Sequence, residues 1–430
     1  METVTVSPGK ASPSGTVYLA GSKSFTNRAL MVAAMAEGES IIEGVSLSAD
    51  SKMTIEALER FGVTVNTHGD TATVIGRKGG FEFGDIECNV GDAGTAMRFL
   101  AALAALSTKG SVTLKGSMRM HERPIRDLVS ALRQLGCEVN YLANEGTPPI
   151  TVKGSKVKQD NIEIDGAVSS QFVSALLMIG ARLPNGLQLK VTGTQVSRSY
   201  IDMTLQVMQD FGVMVKNDGY SLYKIGPQVY TARKYVIEGD VSGASYFWGL
   251  AAIGAGAVCV ENIRLNSLQG DREFPKLLQQ MGCQIIERKG ENTDSIEVLG
   301  PKKLIAIRSD MTLMPDTAQT LAVVAAYAEG ETVISGLSTL RGKETDRIAA
   351  LKSELGKVGI TCRDTADRLA ISSGALRSAR IATYKDHRMA MSFAMLGSRF
   401  PITIEEPGVV TKSYPGFWEE LKKVGLKVEF

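Results

Sequence analysis

Six times along the chain, apolar residues at helical spacing run up to a glycine and pass at once into a short alternating run with β character. The copies are Leu58 to Val65 (Leu-Glu-Arg-Phe-Gly-Val-Thr-Val), Leu132 to Val139, Met208 to Val215, Leu278 to Ile285, Leu355 to Cys362 and Leu421 to Val428. The glycines at 62, 136, 212, 282, 359 and 425 are 74, 76, 70, 77 and 66 residues apart, which predicts one unit of about 72 residues repeated six times. Glycine suits the left-handed position that stops a helix and turns the chain into a strand.

Each unit carries a second helical stretch, rich in small apolar residues, that opens on a polar or charged group. The openings at Ser24, Gly94, Ser169, Ser242, Asp316 and Asp386 keep the same period, with intervals of 70, 75, 73, 74 and 70. Glycines at 38, 110, 180 and 330 are expected to end four of these helices. Helices with small faces pack closely, so an α/β fold is predicted with these helices inside each domain, amphipathic helices outside and strands between.

Ser and Asp at a helix opening are ordinary caps. Capping does not account for Lys23, Arg28, Arg98 and Arg388, which put cations in the first turn, where the helix dipole disfavours them. An anion held there by backbone N–H groups and basic side chains would account for them. More basic residues gather before the outer helices, at Arg119 to Arg126, Arg341 to Arg347 and Lys412. In a chain of 430 residues with a formal net charge of only +2, this concentration points to a small, multiply anionic ligand rather than to nucleic acid.

The remaining composition narrows the class. An apolar content of 44% supports substantial cores, and the length suggests two or three domains. The N-terminus has no signal-like stretch and the alanine-rich helices are too short to span a membrane, so a cytoplasmic location is expected. The 5 cysteines form no C-x-x-C, and Cys137 and Cys283 occupy the apolar position after the repeat glycine. The 3 histidines lack metal-ligand spacing, so no metal is expected. Gly21-Ser-Lys-Ser24 lacks the spacing of a P-loop and Gly254-Ala-Gly256 lacks the third glycine of a dinucleotide fingerprint, so neither ATP nor NAD is implied and no cofactor is expected.

Gly21 to Arg28, Gly91 to Arg98, Glu122-Arg-Pro124, Ser169-Ser-Gln171, Lys343 to Arg347 and Asp386 to Met391 closely resemble the motifs of the 3-phosphoshikimate 1-carboxyvinyltransferase (EPSP synthase) family. The resemblance runs from Gly9 to Trp418, with the motifs in the family's order. It implies a two-domain inside-out α/β barrel of six βαβαββ repeats, three per domain. Residues 1–21 would join 240–430 in one domain, 22–239 would form the other, and the active site would lie in the cleft between them. The implied reaction moves the enolpyruvyl group of phosphoenolpyruvate to the 5-hydroxyl of shikimate 3-phosphate and releases phosphate. The family's inhibitor glyphosate would compete with phosphoenolpyruvate. A monomer with these two small-molecule substrates, and no nucleic-acid or membrane partner, is expected.

By the same resemblance, Lys23, Ser24, Arg28, Ser169, Ser170, Gln171, Ser197, Tyr200, Asp316, Thr339 and Lys343 fall on the shikimate-phosphate side. Lys23, Asp92, Gly94, Arg123, Gln171, Arg347, Arg388 and Lys412 fall on the phosphoenolpyruvate side. Lys23, Asp316 and Glu344 are the candidate catalytic groups. Addition to an enol ether needs a proton delivered to its methylene carbon while a hydroxyl is deprotonated, which suits Glu344 as donor and Asp316 as base. Guanidinium groups grip carboxylate and phosphate in bidentate fashion, which suits the abundance of Arg. The chain departs from the family at Asp92, commonly Asn, at Phe99, usually Pro, and at Thr339, often Asn.

Two other readings fit less well. The sister enzyme that uses UDP-N-acetylglucosamine typically carries a Cys in the loop before its Arg-Pro, and Met118 to Pro124 has none. A non-catalytic scaffold for phosphometabolites would be harmed by the carboxylates of Asp316 and Glu344.

Overall fold

The computed structural model describes residues 2–77, 81, 82, 84–154 and 159–430. The chain divides into two compact units, Met1–Ala20 with Glu238–Phe430, and Gly21–Ile237, each with its own hydrophobic core.

Among the described residues the contiguous unit holds six α-helices: α1 (Lys23–Met35), α2 (Ala49–Arg60), α3 (Gly94–Ala104), α4 (Arg126–Gln134), α5 (Ser170–Gly180) and α6 (Arg198–Asp210). The other holds α7 (Val241–Gly254), α8 (Phe274–Gln280), α9 (Ala318–Ala325), α10 (Arg347–Lys357), α11 (His387–Ala394) and α12 (Phe417–Lys423). The odd-numbered helices are those with small apolar residues, and they are buried almost throughout; all 14 residues of α7 are buried. The even-numbered helices bury one face, as Leu128, Val129, Ala131 and Leu132 do in α4.

The six repeat glycines all adopt left-handed backbone, with φ of 76°, 103°, 87°, 104°, 93° and 98° in chain order, each just after an even-numbered helix. Gly180 does not stop α5 but is its last residue. A Cβ there would lie 2.8 Å from Ile225 Cδ1 and 3.0 Å from Leu187 Cβ, so the glycine serves close packing, and the left-handed turn falls at Gly186 (φ 78°).

Among the described residues six four-stranded sheets share one order, in which the first pair is parallel and the other two are antiparallel. In the sheet after α1 the order is Lys234–Val236, Gly38–Glu43, Thr71–Gly76, Thr64–His68, so the last strand of this unit pairs with its first. The other unit closes likewise. Ser14–Tyr18 runs parallel to Ala257–Ile263, and Thr3–Ser7 lies between Ile402–Glu405 and Lys427–Glu429. Among the described residues no helix is long and apolar enough to cross a membrane.

Candidate active site

In the contiguous unit the expected residues gather at the starts of α1, α3, α5 and α6. α1 begins at Lys23 rather than Ser24, capped by Ser22, whose Oγ accepts from Phe25 N at 3.5 Å. Lys23 Nζ lies 3.0 Å from Asp50 Oδ2 in the first turn of α2, with both side chains largely buried. Nothing in the sequence separates Asp50 from an acid that merely complements a helix dipole.

Arg28 is 2% exposed and is anchored on all sides by its own unit. Its Nε donates to Thr204 Oγ1 (2.7 Å), Nη1 to the Ser24 carbonyl (2.9 Å), and Nη2 to the Tyr200 carbonyl (3.0 Å) and Ser174 Oγ (3.5 Å). These four bonds leave one of its five N–H groups for anything else. The guanidinium also lies 5.4 Å from the ring centroid of Phe99 and 5.8 Å from that of Tyr200. Burial lowers its pKa to about 10. Ser24 thus meets Arg28 through its carbonyl, and Phe99 supplies a face over the cation where proline could supply no aromatic ring.

Arg98 ties its guanidinium into the fold. It is 3% exposed and bonds the Gly94 carbonyl (3.2 Å), Met120 Sδ (3.3 Å) and the Pro124 carbonyl (2.8 Å), tying the loop before α4 onto α3. Of the basic run from Arg119 to Arg126, only Arg123 is buried; Arg119 pairs with Glu122 at 2.7 Å and Arg126 is exposed. Arg341 is likewise structural, pairing with Asp346 (2.8 Å) and Asp364 (3.2 Å).

Arg123 sits against the start of α3, where no side chain caps the helix. Its Nη1 donates to the Asp92 carbonyl at 3.3 Å, and its buried Nε has no partner. A Cβ on Gly94 would fall 2.6 to 2.9 Å from the Arg123 guanidinium, so this residue must be small for the cation to lie there. The Asp92 carboxylate accepts from Ser117 Oγ, which in turn accepts from Met120 N at 3.1 Å. The acid that departs from the family pattern is therefore bonded into the loop that presents Arg123. Gln171 Nε2 reaches Thr95 Oγ1 at 3.2 Å, linking α5 to this helix start. Ser169 caps α5 through Gln171 N at 3.2 Å, and Ser170 is 5% exposed. Ser197 precedes α6 in left-handed backbone (φ 52°) and makes no capping bond, a strained arrangement of a kind concentrated at functional sites.

The other unit gathers a denser charge cluster at the starts of α9, α10 and α11. Asp316 stands in a 3-10 turn just before α9. Its Oδ2 accepts from Arg388 Nη2 (2.8 Å), and its Oδ1 lies 3.2 Å from Arg347 Nη1 and 3.9 Å from Lys343 Nζ. Arg388 Nη1 also donates to the Asp316 carbonyl at 3.0 Å. Glu344 Oε2 lies 2.9 Å from Arg347 Nη2, and its Oε1 lies 3.2 Å from Lys412 Nζ. Asp386 caps α11 and holds Arg347 Nε at 2.7 Å. The hydroxyl of Thr339 is buried without a partner. Sequence reasoning read Asp386 as a cap only; its ion pair is invisible without the fold.

Four cations (Lys343, Arg347, Arg388, Lys412) therefore meet three carboxylates (Asp316, Glu344, Asp386), so this cluster is nearly self-neutralised. Burial pushes the Asp316 carboxyl up, but Arg388, Lys343 and Arg347 overcome it and hold the group well below the usual carboxylate range. Burial lowers Arg347 too, yet Asp386, Glu344 and Asp316 hold it above its ordinary value. Nearby, the buried Asp271 is pushed up to about 7, by burial first and by the charge of Asp316 second. Among the described residues no group of His, Cys, Asp and Glu could hold a metal ion.

Guanidiniums and carboxylates gathered at helix starts in mixed α/β units have the chemistry of an enzyme site for small polyanions. The chain matches the family model of EPSP synthase (3-phosphoshikimate 1-carboxyvinyltransferase) over residues 9–421. It is 42% identical over 408 residues to the 3-phosphoshikimate 1-carboxyvinyltransferase of Methanosphaerula palustris, covering 94% of this chain and 95% of that one. With the enzyme of the same name from Actinobacillus pleuropneumoniae it shares 41% identity over 435 residues, 99% of each chain. The solved EPSP synthase of Acinetobacter baumannii is similar with a TM-score of 0.83 at 27% identity, covering both chains in full. The chain belongs to the EPSP synthase family.

Proposed function

We propose that this chain transfers the enolpyruvyl group of phosphoenolpyruvate to the 5-hydroxyl of shikimate 3-phosphate, giving 5-enolpyruvylshikimate 3-phosphate and inorganic phosphate in aromatic amino acid biosynthesis. The observation that carries this reading is the placement of two carboxylates, Asp316 and Glu344, within one cluster of Arg and Lys. Cations alone would suffice to bind anions; acid–base groups among them serve proton transfer.

In the addition step the 5-hydroxyl oxygen bonds to C2 of phosphoenolpyruvate, its proton leaves to a base, and another proton is added to the methylene carbon. Elimination removes a proton from the resulting methyl group and breaks the C–O bond to phosphate. Asp316, held ionised by its cations, is assigned as the base toward the hydroxyl, and Glu344 as the group that gives and recovers the methyl proton. Arg123, Arg347, Arg388, Lys412 and Lys23, with Gln171 and the open helix start at Gly94, are assigned to the carboxylate and phosphate of the donor. Ser24, Arg28, Ser169, Ser170, Ser197, Tyr200, Thr339 and Lys343 are assigned to shikimate 3-phosphate. Arg347 and Lys412 both pair with Glu344, which couples the anion-binding cations to the proton-transfer group.

Six sheets of like order, three to each unit, support an inside-out α/β barrel of three repeats in each domain, with residues 1–21 and 240–430 in one and 22–239 in the other. The working form is assigned as a cytoplasmic monomer; the molar mass from light scattering checks the monomer.

Phosphate release in the presence of both substrates tests the activity, with UDP-N-acetylglucosamine as the competing acceptor. Asp316→Asn and Glu344→Gln should each lower kcat by roughly 10²-fold or more while substrate affinities change little. Near-normal turnover in either variant overturns the role given to that residue.

A further inference from the structure

We propose that Glu354 and Tyr384, which touch neither substrate in the assignment above, are positioning residues that fix the leader of α11 and thereby the helix cap Asp386 and the donor-side residue Arg388. The inference rests on the donor-side reading of Arg347 and Arg388.

The chain enters α11 through Thr383, Tyr384, Lys385 and Asp386. Tyr384 and Lys385 are both in left-handed backbone, with φ of 53° and 57°, and neither is glycine. Two consecutive residues in this region are disfavoured unless the surroundings dictate them. Here a single buried carboxylate does so. Glu354, on α10, is fully inaccessible. Its Oε2 accepts from Ala382 N at 3.0 Å and its Oε1 from the Tyr384 hydroxyl at 2.6 Å, so it grips the leader on both sides of Thr383. Lys357 Nζ, 2.7 Å from Oε2, balances its charge, and the Tyr384 hydroxyl also reaches Ser353 Oγ at 3.2 Å.

The same helix grips α11 a second time. Arg347 lies seven residues before Glu354, two turns along the same face of α10, and its Nε holds Asp386 at 2.7 Å. Asp386 N is bonded to the Thr383 carbonyl at 2.9 Å, closing the turn, and Asp386 Oδ1 accepts from Arg388 N at 2.8 Å. Arg388 then meets Asp316. The register of α10 on α11 is thus set at two points, one ionic and inside the charge cluster, the other a tyrosine clasp outside it. An anion that draws Arg347 away from Asp386 weakens the first point; the second keeps the α11 start in place while that happens.

The test compares the full-length parent with Tyr384→Phe, which keeps the ring of a residue that is 39% exposed and removes only the hydroxyl. Steady-state kinetics with both substrates, thermal melting and amide hydrogen exchange of residues 380–394 are measured. The KM for phosphoenolpyruvate should rise about three- to tenfold, as for one lost hydrogen bond to a carboxylate, with the KM for shikimate 3-phosphate nearly unchanged and the melting temperature modestly lower. Exchange at Asp386 and Arg388 should quicken. An unchanged KM for phosphoenolpyruvate with unchanged exchange overturns the proposal, as does an equal rise in both KM values, which marks a purely structural residue. If the parent fails to turn over these substrates, the activity reading has failed and exchange alone judges the clasp.

Discussion

Asp271 is a carboxylate in surroundings that disfavour its charge. It is 4% exposed, accepts from Ser242 Oγ through one oxygen, and its other oxygen is buried without a partner. Unfolded, it would ionise near its ordinary 3.8; folded, burial and the charge of Asp316 push it up to about 7. The folded state therefore binds the extra proton between these values. The stability this group contributes is full below about pH 4 and is lost as the pH rises through about 7, the reverse of a salt-bridged carboxylate. Asp271→Asn removes the titration, so its melting temperature should gain on the parent's from pH 4 to pH 7 and hold its lead above. A difference that is flat with pH refutes this. Gly94 bears on a second residue-scale outcome. A methyl group there would press on the guanidinium of Arg123, the far end of a flexible side chain, so Gly94→Ala should fold normally and displace the cation. Phosphoenolpyruvate should bind about tenfold more weakly, a loss of about 1.4 kcal/mol, and glyphosate inhibition should weaken with it. Because both changes act through one side chain, Gly94→Ala should cost little more in an Arg123→Met background, and additive losses by calorimetry would refute the shared route.

At the scale of elements, the six repeat glycines offer a controlled comparison. Around Gly425 (φ 98°) a Cβ would meet nothing within 4 Å, so Gly425→Ala carries only backbone strain, about 1–2 kcal/mol. At Gly359 (φ 93°) the Cβ would also fall 2.3 Å from the Ala375 carbonyl oxygen, so Gly359→Ala should cost clearly more. Urea midpoints of the two variants check the order, and equal losses would mean the backbone, not the neighbour, sets the cost. That these helices end in glycine was legible because the signal is local: helical spacing, one glycine, a β-prone run. Burial of the odd-numbered helices was legible for the same reason. What escaped was long-range. Arg98 reads as an anion ligand until Pro124, 26 residues on, is seen to take its Nη2. Asp50 reads as an ordinary helix acid until α2 brings it to Lys23, 27 residues before it. Gly180 reads as a stop until Ile225 and Leu187 fill the space beside it. Residue types and period carried the set of candidate groups; which of them pair with each other depends on neighbours distant in the chain.

At the scale of the whole chain, the two units differ in how they are threaded. Gly21–Ile237 is continuous, whereas the other unit needs both ends of the chain. In five sheets the third and fourth strands form an antiparallel hairpin, as Thr64–His68 and Thr71–Gly76 do. In the sixth, Lys427–Glu429 and Thr3–Ser7 occupy those places, with Glu429 opposite Thr5, so the hairpin is open at the chain ends. Val4 and Val6 are fully buried in the core of this unit, and Ser14–Tyr18 supplies the edge of another of its sheets. Without residues 1–20, two of its three four-stranded sheets each lose a strand and the core loses apolar residues that nothing else replaces. A fragment of residues 21–237 should accordingly fold alone, with a cooperative thermal transition. A fragment of residues 238–430 should not, but should recover a cooperative transition when residues 2–20 are appended after Phe430 through a short Gly-Ser linker that closes the open hairpin. Circular dichroism melts of the three fragments decide the matter. Cooperative folding of 238–430 by itself would mean that the N-terminal strands decorate this unit rather than complete it.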